Sequence, residues 1–212
     1  MDVSRYWDDI YRTRSPQEVS WYEPVPEMSL SRIRAALASG ARSLVDIGGG
    51  TSRLVDHLVR MHLSRMAVLD VAETSLDVAK QRLGDRRDRV EWIAADVTKV
   101  RDIGRFGIWH DRAVFHFLTD PADRASYVEL CERTVLPGGL AIVATFAHDG
   151  PETCSGLPVH RYAADELAEQ CGRRFELIDS ERHMHTTPRG AHQPFLYASF
   201  RRLTDDRELV SA

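Results

Sequence analysis

Short runs of apolar residues alternate along most of this chain with longer segments in which apolar residues recur every three or four positions. The runs lie at residues 43–47, 66–70, 90–94, 107–114 and 140–146, and their lengths are those of buried strands. The segments between them have the period of helices that bury one face, as at Leu54, Val55, Leu58 and Val59. Strands that alternate with helices predict a parallel sheet covered by helices.

Two further strand-like runs, at residues 175–180 and 195–201, follow a helical pattern at 165–171 and have no helical pattern between them. Two successive strands predict an antiparallel pair at the sheet edge. We therefore predict a single α/β domain with a doubly wound, mostly parallel seven-stranded sheet whose last strand is antiparallel. This domain would span residues 28–202, between an N-terminal segment (1–27) and a polar tail (203–212).

The N-terminal segment is rich in aromatic residues. Tyr6, Trp7, Tyr11, Trp21 and Tyr22 lie within the first 22 positions and are half of the chain's four Trp and six Tyr residues. Such residues either cap apolar surface of the core or form a lid that excludes water from a ligand. The sequence leaves both interpretations open.

Composition limits the choice of partners and location. The 212 residues carry a formal net charge of -4, which argues against nucleic acid as an obligate partner because phosphate binding favours a basic face. No apolar run approaches the roughly 20 residues that span a bilayer, and the first residues lack the apolar stretch of a signal peptide. We expect a cytoplasmic protein without a membrane partner.

The three cysteines, Cys131, Cys154 and Cys171, are an odd number and show no CxxC spacing. Disulfides and a structural zinc site are therefore not expected. Cys131 and Cys171 fall on the apolar faces of predicted helices, which favours core positions. Cys154 lies in a predicted loop, where it could be exposed.

The first predicted strand runs into a glycine turn, Asp46-Ile47-Gly48-Gly49-Gly50. Glycines permit positive φ and let a ligand approach the backbone closely, and a turn at this place in a parallel sheet is typical of nucleotide binding. A dinucleotide-binding turn needs Gly or Ala where this chain has Arg53. Asp46 is unsuited to a pyrophosphate and suited to the ammonium group of an amino-acid moiety.

Two further acids follow predicted strands. Asp70 comes 20 residues after Gly50, the spacing of a carboxylate that accepts hydrogen bonds from ribose hydroxyls. Asp96 follows the third strand and is placed to accept a hydrogen bond from the exocyclic amine of adenine. Because ligands bind at the carboxyl ends of parallel strands, the three acids together predict an adenosine-type ligand with an amino-acid group.

Four motifs occur in register: Val45-Asp46-Ile47-Gly48-Gly49-Gly50, Val68-Leu69-Asp70, Ala95-Asp96-Val97 and Leu136-Pro137-Gly138-Gly139. Together they resemble the class I S-adenosylmethionine-dependent methyltransferases, which have a Rossmann-like fold. The resemblance implies S-adenosyl-L-methionine as cofactor, with S-adenosyl-L-homocysteine as product. It further implies cofactor contacts from the following residues: Trp7, Asp46, Gly48, Gly49, Gly50, Asp70, Val71, Asp96, Val97 and Asp111.

A narrower resemblance involves Tyr6–Tyr11, Val19–Glu23 and Asp111–His116. These segments are similar to a methyltransferase subgroup that includes lysine methyltransferases acting on elongation factor. That subgroup has an acid where this chain has His116, and this difference argues against protein-lysine activity.

Candidate residues for acceptor chemistry cluster after the fourth strand and near the C-terminus. His116 is the best candidate for a general base, if the acceptor must lose a proton. Tyr11, Trp21, Tyr22 and Arg112 are expected to contact substrate, and Arg112 or Arg189 could hold an anionic acceptor. His183 and His185, at i and i+2, indicate a polar substrate wall or exposed loop positions rather than a metal site, and no metal is predicted.

We predict a methyltransferase that acts on an O, N or S nucleophile of a small molecule. The N-terminal aromatics and loops at residues 146–160 and 181–194 would close over the acceptor. The alternatives are a protein-lysine methyltransferase, a non-catalytic S-adenosylmethionine-binding protein and a nicotinamide dehydrogenase. The sequence does not predict the oligomeric state.

Overall fold

A computed structural model describes residues 2–204 of the chain. Its seven-stranded sheet contains β1 (Ser43–Ile47), β2 (Arg65–Asp70), β3 (Glu91–Ala94), β4 (Phe106–Arg112), β5 (Val135–Phe146), β8 (Phe175–Thr186) and β9 (His192–Arg202). The strand order is β3-β2-β1-β4-β5-β9-β8, and a separate two-stranded ribbon joins β6 (Thr153–Cys154) to β7 (Leu157–Pro158). The five strands β1 to β5 run parallel to one another, whereas β9 runs antiparallel to both of its neighbours, β5 and β8.

The helices are α1 (Val3–Thr13), α2 (Glu27–Ala38), α3 (Leu54–Leu58), α4 (Glu73–Leu83), α5 (Pro121–Thr134) and α6 (Ala164–Cys171), with 3₁₀ turns at Gly84–Arg89 and Phe115–Phe117. Helix α5 begins as its sequence predicts: the Asp120 side chain accepts a hydrogen bond from the Ala122 amide, and proline takes the first helical position.

Apolar side chains form cores on both faces of the sheet. One face packs against α5 and α6 through Leu130 and Leu167, and the other packs against α2 and α4 through Ile33 and Leu76. The prediction of one doubly wound, mostly parallel seven-stranded sheet with an antiparallel last strand is therefore confirmed. Among the described residues, no helix is long and apolar enough to cross a bilayer.

Two sequence-based expectations about the C-terminal third are wrong. Residues 181–194 are not a loop, because β8 continues to Thr186 and β9 begins at His192, so the two strands form one long hairpin. Cys154 is buried in β6 rather than exposed, whereas Cys131 and Cys171 are buried as predicted. Residues 205–212 of the predicted polar tail lie outside the described part of the chain.

Candidate functional site

A cleft of about 890 Å³, counted to its open mouth, lies at the carboxyl ends of β1, β2, β4 and β5. This is where the strand order reverses between β1 and β4, the expected ligand position in an open parallel sheet. Its walls combine residues from strand ends, the N-terminal segment and the C-terminal hairpin. They include Trp7, Tyr11, Trp21, Gly48, Asp70, Val71, Asp96, Val97, Arg112, Phe117, Phe146, Cys154, Gln193 and Phe195.

The glycine turn brings bare backbone to the cleft. Gly48 has φ +64° and Gly50 has φ +47°, in the left-handed region that favours glycine. A Cβ on Gly48 would lie 2.0 Å from Val114 Cγ2, and one on Gly50 would lie 2.7 Å from the Tyr11 hydroxyl and 3.0 Å from Asp70 Oδ2. No side chain fits at either position without displacing its neighbours.

Asp70 ends β2 as a buried carboxyl group beside this turn. Its Oδ1 accepts a hydrogen bond from the Ala72 amide at 2.8 Å, and the group is 4% exposed. Burial, reinforced by repulsion from Asp46, raises the pKa of Asp70 to about 7. The side chain therefore retains acceptor capacity toward the cleft at a place where ribose hydroxyls would supply donors.

The part of the cleft next to Asp70 is an apolar slot suited to adenine. Val71, Ala95, Val97 and Leu118 are apolar lining residues. Asp96 completes this end, and its Oδ1 accepts hydrogen bonds from the Thr98 amide and hydroxyl at 2.9 and 2.7 Å. Burial opposes ionisation of Asp96, but hydrogen bonds from Thr98 and Lys99 outweigh it and lower the pKa.

Asp46 does not line this cleft, contrary to the sequence-based expectation of a direct cofactor contact. It is 3% exposed, and its Oδ1 lies 2.7 Å from His110 Nδ1. His110 Nε2 lies in turn 2.8 Å from the hydroxyl of Ser29. This buried chain borders a second cavity of about 530 Å³ behind Gly48 and Gly49, and predicted substrate residue Tyr22 lies there too.

The N-terminal aromatics cover the cleft as a lid. The ring centroid of Trp7 lies 6.2 Å from that of Tyr11, 5.8 Å from that of Trp21 and 5.2 Å from that of Phe117. Hydrogen bonds fasten α1 to the rim: Ser4 donates to the Val71 carbonyl, Tyr6 to the Ser155 carbonyl and Thr74 to Asp8. Trp7, Tyr11 and Trp21 therefore border the cleft directly.

Arg112, at the end of β4, joins the lid to the C-terminal hairpin. Its three guanidinium nitrogens donate to the Tyr197 hydroxyl at 3.0 Å, the Trp21 carbonyl at 2.9 Å and Glu23 Oε1 at 3.0 Å. Glu23 Oε1 also lies 3.0 Å from His185 Nδ1. Burial opposes ionisation of Glu23, yet His185 and Arg112 lower its pKa, so the network holds a carboxylate.

The structure does not support the role predicted for His116. The 3₁₀ turn at Phe115–Phe117 directs this side chain inward, where it is fully buried, and it is not among the residues that line the cleft. Burial, with a contribution from Arg112, lowers the pKa of His116 to about 3. A neutral, enclosed imidazole cannot serve as a general base for an acceptor in the cleft.

Three other predicted site residues also lie outside the cleft lining. Asp111 is fully buried, where it accepts hydrogen bonds from the Tyr127 hydroxyl at 2.6 Å and from the amides of Val114 and Phe115. His185 is buried against Glu23 and the Ser20 carbonyl. The ring of His183 packs edge-on toward Tyr197. Neither histidine forms a substrate wall, and the described residues hold no cluster that could bind a metal.

Several lining residues escaped the sequence analysis. Phe117, Phe146, Gln193 and Phe195 contribute to the cleft, yet each reads from sequence as an ordinary core or strand residue. The only available signal was alternation along β9, because Gln193 and Phe195 share one face of that strand. Without the register of β9 against β5, this pattern does not indicate a ligand site.

The lining suits S-adenosylmethionine. The buried Asp70 carboxyl group faces a glycine backbone on which no Cβ fits, next to an apolar slot that ends in Asp96. Six of the ten predicted cofactor residues line the cleft: Trp7, Gly48, Asp70, Val71, Asp96 and Val97. Gly50 borders it through Asp70 and Tyr11, and Gly49 borders the second cavity.

Comparisons with known proteins agree with this geometry. Residues 45–143 match the family model described as "Methyltransferase domain". No curated protein sequence matches the chain significantly.

Similar solved structures cover nearly the whole chain. One comes from work on the conversion of a disulfide bond into a thioacetal group during echinomycin biosynthesis, with a TM-score of 0.77, 19% identity and coverage of 98% of this chain and 96% of that chain. The N-methyltransferase NodS from Bradyrhizobium japonicum WM9, in complex with S-adenosyl-L-homocysteine, has a TM-score of 0.72 and 16% identity, with 95% and 99% covered. A third is 1,6-didemethyltoxoflavin-N1-methyltransferase from Burkholderia thailandensis, with a TM-score of 0.68 and 21% identity, and 95% and 85% covered.

At these identities the structures establish the fold, and residues 45–143 match a methyltransferase domain. The chain has the Rossmann-like methyltransferase fold, and the sequence-based prediction of an S-adenosylmethionine-dependent methyltransferase is confirmed.

Proposed function

We propose that this chain transfers a methyl group from S-adenosylmethionine to an N, S or O nucleophile of a small molecule. The observation that carries the proposal is the continuity of one cleft, from the Asp70 end to an apolar chamber enclosed by the chain's own lid and hairpin. A chamber enclosed in this way admits a small acceptor more readily than the surface of a folded protein.

The residues divide the work along the cleft. Asp70 would accept the ribose hydroxyls, while Val71, Asp96 and Val97 would hold the adenine. The bound cofactor supplies an electrophilic methyl group on a sulfonium. Trp7, Tyr11 and Trp21 exclude water and orient the acceptor, and such positioning is the main contribution a protein makes to an in-line displacement.

A small acceptor is supported by the similar toxoflavin enzyme, whose structure contains bound 1,6-didemethyltoxoflavin together with S-adenosylhomocysteine. A lysine side chain of a protein is a less suitable acceptor. The carboxylates near the chamber, Glu23 and Asp111, are already bonded within the protein, so neither is open to an incoming ammonium group. The N-terminus is similar to that of lysine methyltransferases acting on elongation factor. The described residues near the chamber, however, offer no free carboxylate for a lysine side chain.

Calorimetry and turnover test this function in sequence. S-adenosylhomocysteine should bind the purified chain, and Asp70→Asn should weaken that binding by about tenfold or more, because a charged hydrogen bond contributes about 1.5–3 kcal/mol. NAD should not bind. Labelled cofactor should then transfer its methyl group to members of a small-molecule panel and not to proteins of a cell lysate.

The other possible outcomes support the alternative functions. Binding without transfer to either class of acceptor would indicate a non-catalytic S-adenosylmethionine-binding protein. Transfer to lysate protein alone would establish the protein-lysine alternative and refute the small-molecule acceptor.

A further inference from the structure

The acceptor end of the cleft is built almost entirely from aromatic side chains. Trp21, Phe117, Phe146 and Phe195 line it, and Phe146 packs edge-on against Phe195 with ring centroids 5.0 Å apart. Aromatic walls of this kind favour flat, apolar ligands that stack on them or meet their edges.

The charge at this end is already paired. Among the described residues that line it, Arg112 is the one with a formal charge, and each of its three guanidinium nitrogens donates a hydrogen bond within the protein. Its guanidinium also lies 4.9 Å from the centroid of the Phe195 ring. These bonds use three of the five guanidinium N–H groups, and Glu23 already pairs with the charge. A carboxylate or phosphate therefore gains little from Arg112, whereas a cation meets a like charge, and both effects favour an uncharged acceptor.

Among the described residues that line this end, none is an available proton acceptor. Cys154 is buried, and burial raises the pKa of its thiol. Tyr11 is likewise held protonated, because burial raises its pKa well above the usual value. His116 lies outside the lining. An acceptor atom that must first lose a proton, such as an aliphatic hydroxyl or an ammonium nitrogen, therefore finds no base.

Gln193 offers this end of the cleft both a donor and an acceptor. Gln193 lines the cleft from the same face of β9 as Phe195, and its amide has no hydrogen-bond partner in the described part of the chain. A primary amide can donate one hydrogen bond and accept another. It is therefore suited to orient a carbonyl, a ring N–H or a ring nitrogen of the acceptor.

From these features we propose that the acceptor is an uncharged, flat aromatic molecule, methylated on a ring nitrogen or sulfur with a free lone pair and oriented by Gln193. The lone pair forms the new bond to carbon while the electron pair of the broken C–S bond returns to the cofactor sulfur. Where the accepting nitrogen carries a proton, water takes it after transfer. This inference rests on the proposed function and narrows its substrate class.

The test uses matched derivatives of one heteroaromatic ring. Labelled-cofactor turnover is measured with the neutral ring, with its carboxylate, with its trimethylammonium derivative and with a hydroxyl-only analogue. Binding of each to the chain saturated with S-adenosylhomocysteine is measured in parallel. We expect kcat/KM for the neutral ring to exceed that of each charged derivative at least tenfold, with no transfer to the hydroxyl.

Variants at two positions separate a specific contact from general damage. Gln193→Leu should raise KM for the neutral ring about fivefold, which is the value of one lost hydrogen bond, without altering S-adenosylhomocysteine affinity. Gln193→Glu should favour the trimethylammonium derivative over the neutral ring relative to the unmodified chain. Gln81→Leu, at an exposed position of α4, should change none of these values.

Results that refute the acceptor class can be distinguished from results that refute the proposed function. Faster methylation of a charged derivative or of the hydroxyl, with small-molecule turnover intact, would overturn the acceptor class alone. Failure of the neutral ring either to bind or to be methylated would also overturn it. A KM unaffected by both Gln193 variants would refute the assigned contact. The proposed function itself is refuted if no small molecule on the panel is methylated, whether the cofactor binds without transfer or the methyl group goes to lysate protein.

Discussion

Replacement of Asp70 by asparagine should remove a specific pH dependence of stability. In the folded, ligand-free chain the pKa of Asp70 is raised from its usual 3.8 to about 7, chiefly by burial. Between these two pH values the unfolded chain has released this proton and the folded chain retains it. The free energy of unfolding should therefore fall as pH rises, by about 1.4 kcal/mol per pH unit for this group.

The stabilising contribution of Asp70 is complete below pH 3.8 and lost once the pH passes about 7. Across that window the difference in unfolding free energy between the unmodified chain and Asp70→Asn should change by roughly 4 kcal/mol. Effects of the substitution that do not depend on pH, such as a weaker acceptor for the Gly50 amide, cancel when the difference is compared across pH. Urea unfolding at pH 4 to 8 measures it.

Asp111→Asn provides a second comparison, at a buried carboxyl group that does not line the cleft. Burial raises the pKa of Asp111 to about 6, so its difference curve should change by roughly 3 kcal/mol. A flat curve for Asp70→Asn, or one that rises with pH, would refute the reasoning. Saturation with S-adenosylhomocysteine should flatten the dependence if Asp70 accepts hydrogen bonds from the ligand.

Three further predictions concern the lid, the excluded base and the glycine turn. A double-mutant cycle of Arg112→Met and Glu23→Gln should give a coupling free energy of about 2 kcal/mol in urea unfolding, because both groups are largely buried. His116→Ala should lower the free energy of unfolding by about 3 kcal/mol while kcat changes less than threefold in the labelled-cofactor assay. Gly48→Ala should destabilise the chain by more than about 2 kcal/mol in urea unfolding, because its methyl group would overlap Val114.

The lid and glycine-turn predictions each have a matched comparison, and the His116 prediction has a defined contrary outcome. The exposed pair Glu129–Arg133 on α5 should couple by less than about 0.5 kcal/mol, and an equal value for the lid pair would contradict its buried role. Gly138 has φ +76° and open space where a Cβ would lie, so Gly138→Ala should cost less than the turn substitution. A hundredfold fall in kcat for the His116 variant, with cofactor affinity unchanged, would restore that residue as a base.

Periodicity and strand-end position predicted the sheet and the Asp70 end of the cleft. These features depend on local sequence: β1 was predicted with its observed bounds, and Asp70, Val71, Asp96 and Val97 follow directly from strand ends. Their placement needs only the rule that parallel strands present their carboxyl ends together.

Asp46 and His116 show where that rule stops. Asp46 lies at a strand end as well, but β4 pairs with β1 so that Asp46 faces His110, and the two satisfy each other away from the cleft. His116 follows β4 as expected, but a 3₁₀ turn directs it inward. Both outcomes depend on long-range register or on a single turn of backbone, and neither leaves a pattern in the sequence.

Strand β9, the last to be synthesised among the described strands, lies between β5 and β8 rather than at the sheet edge. During translation, β8 therefore has no partner in the sheet until β9 leaves the ribosome. The strands that present Asp70 and Asp96 are made earlier and pair without it. A nascent chain could thus acquire its cofactor-binding half before its acceptor wall, and bound cofactor could stabilise that half while the hairpin forms.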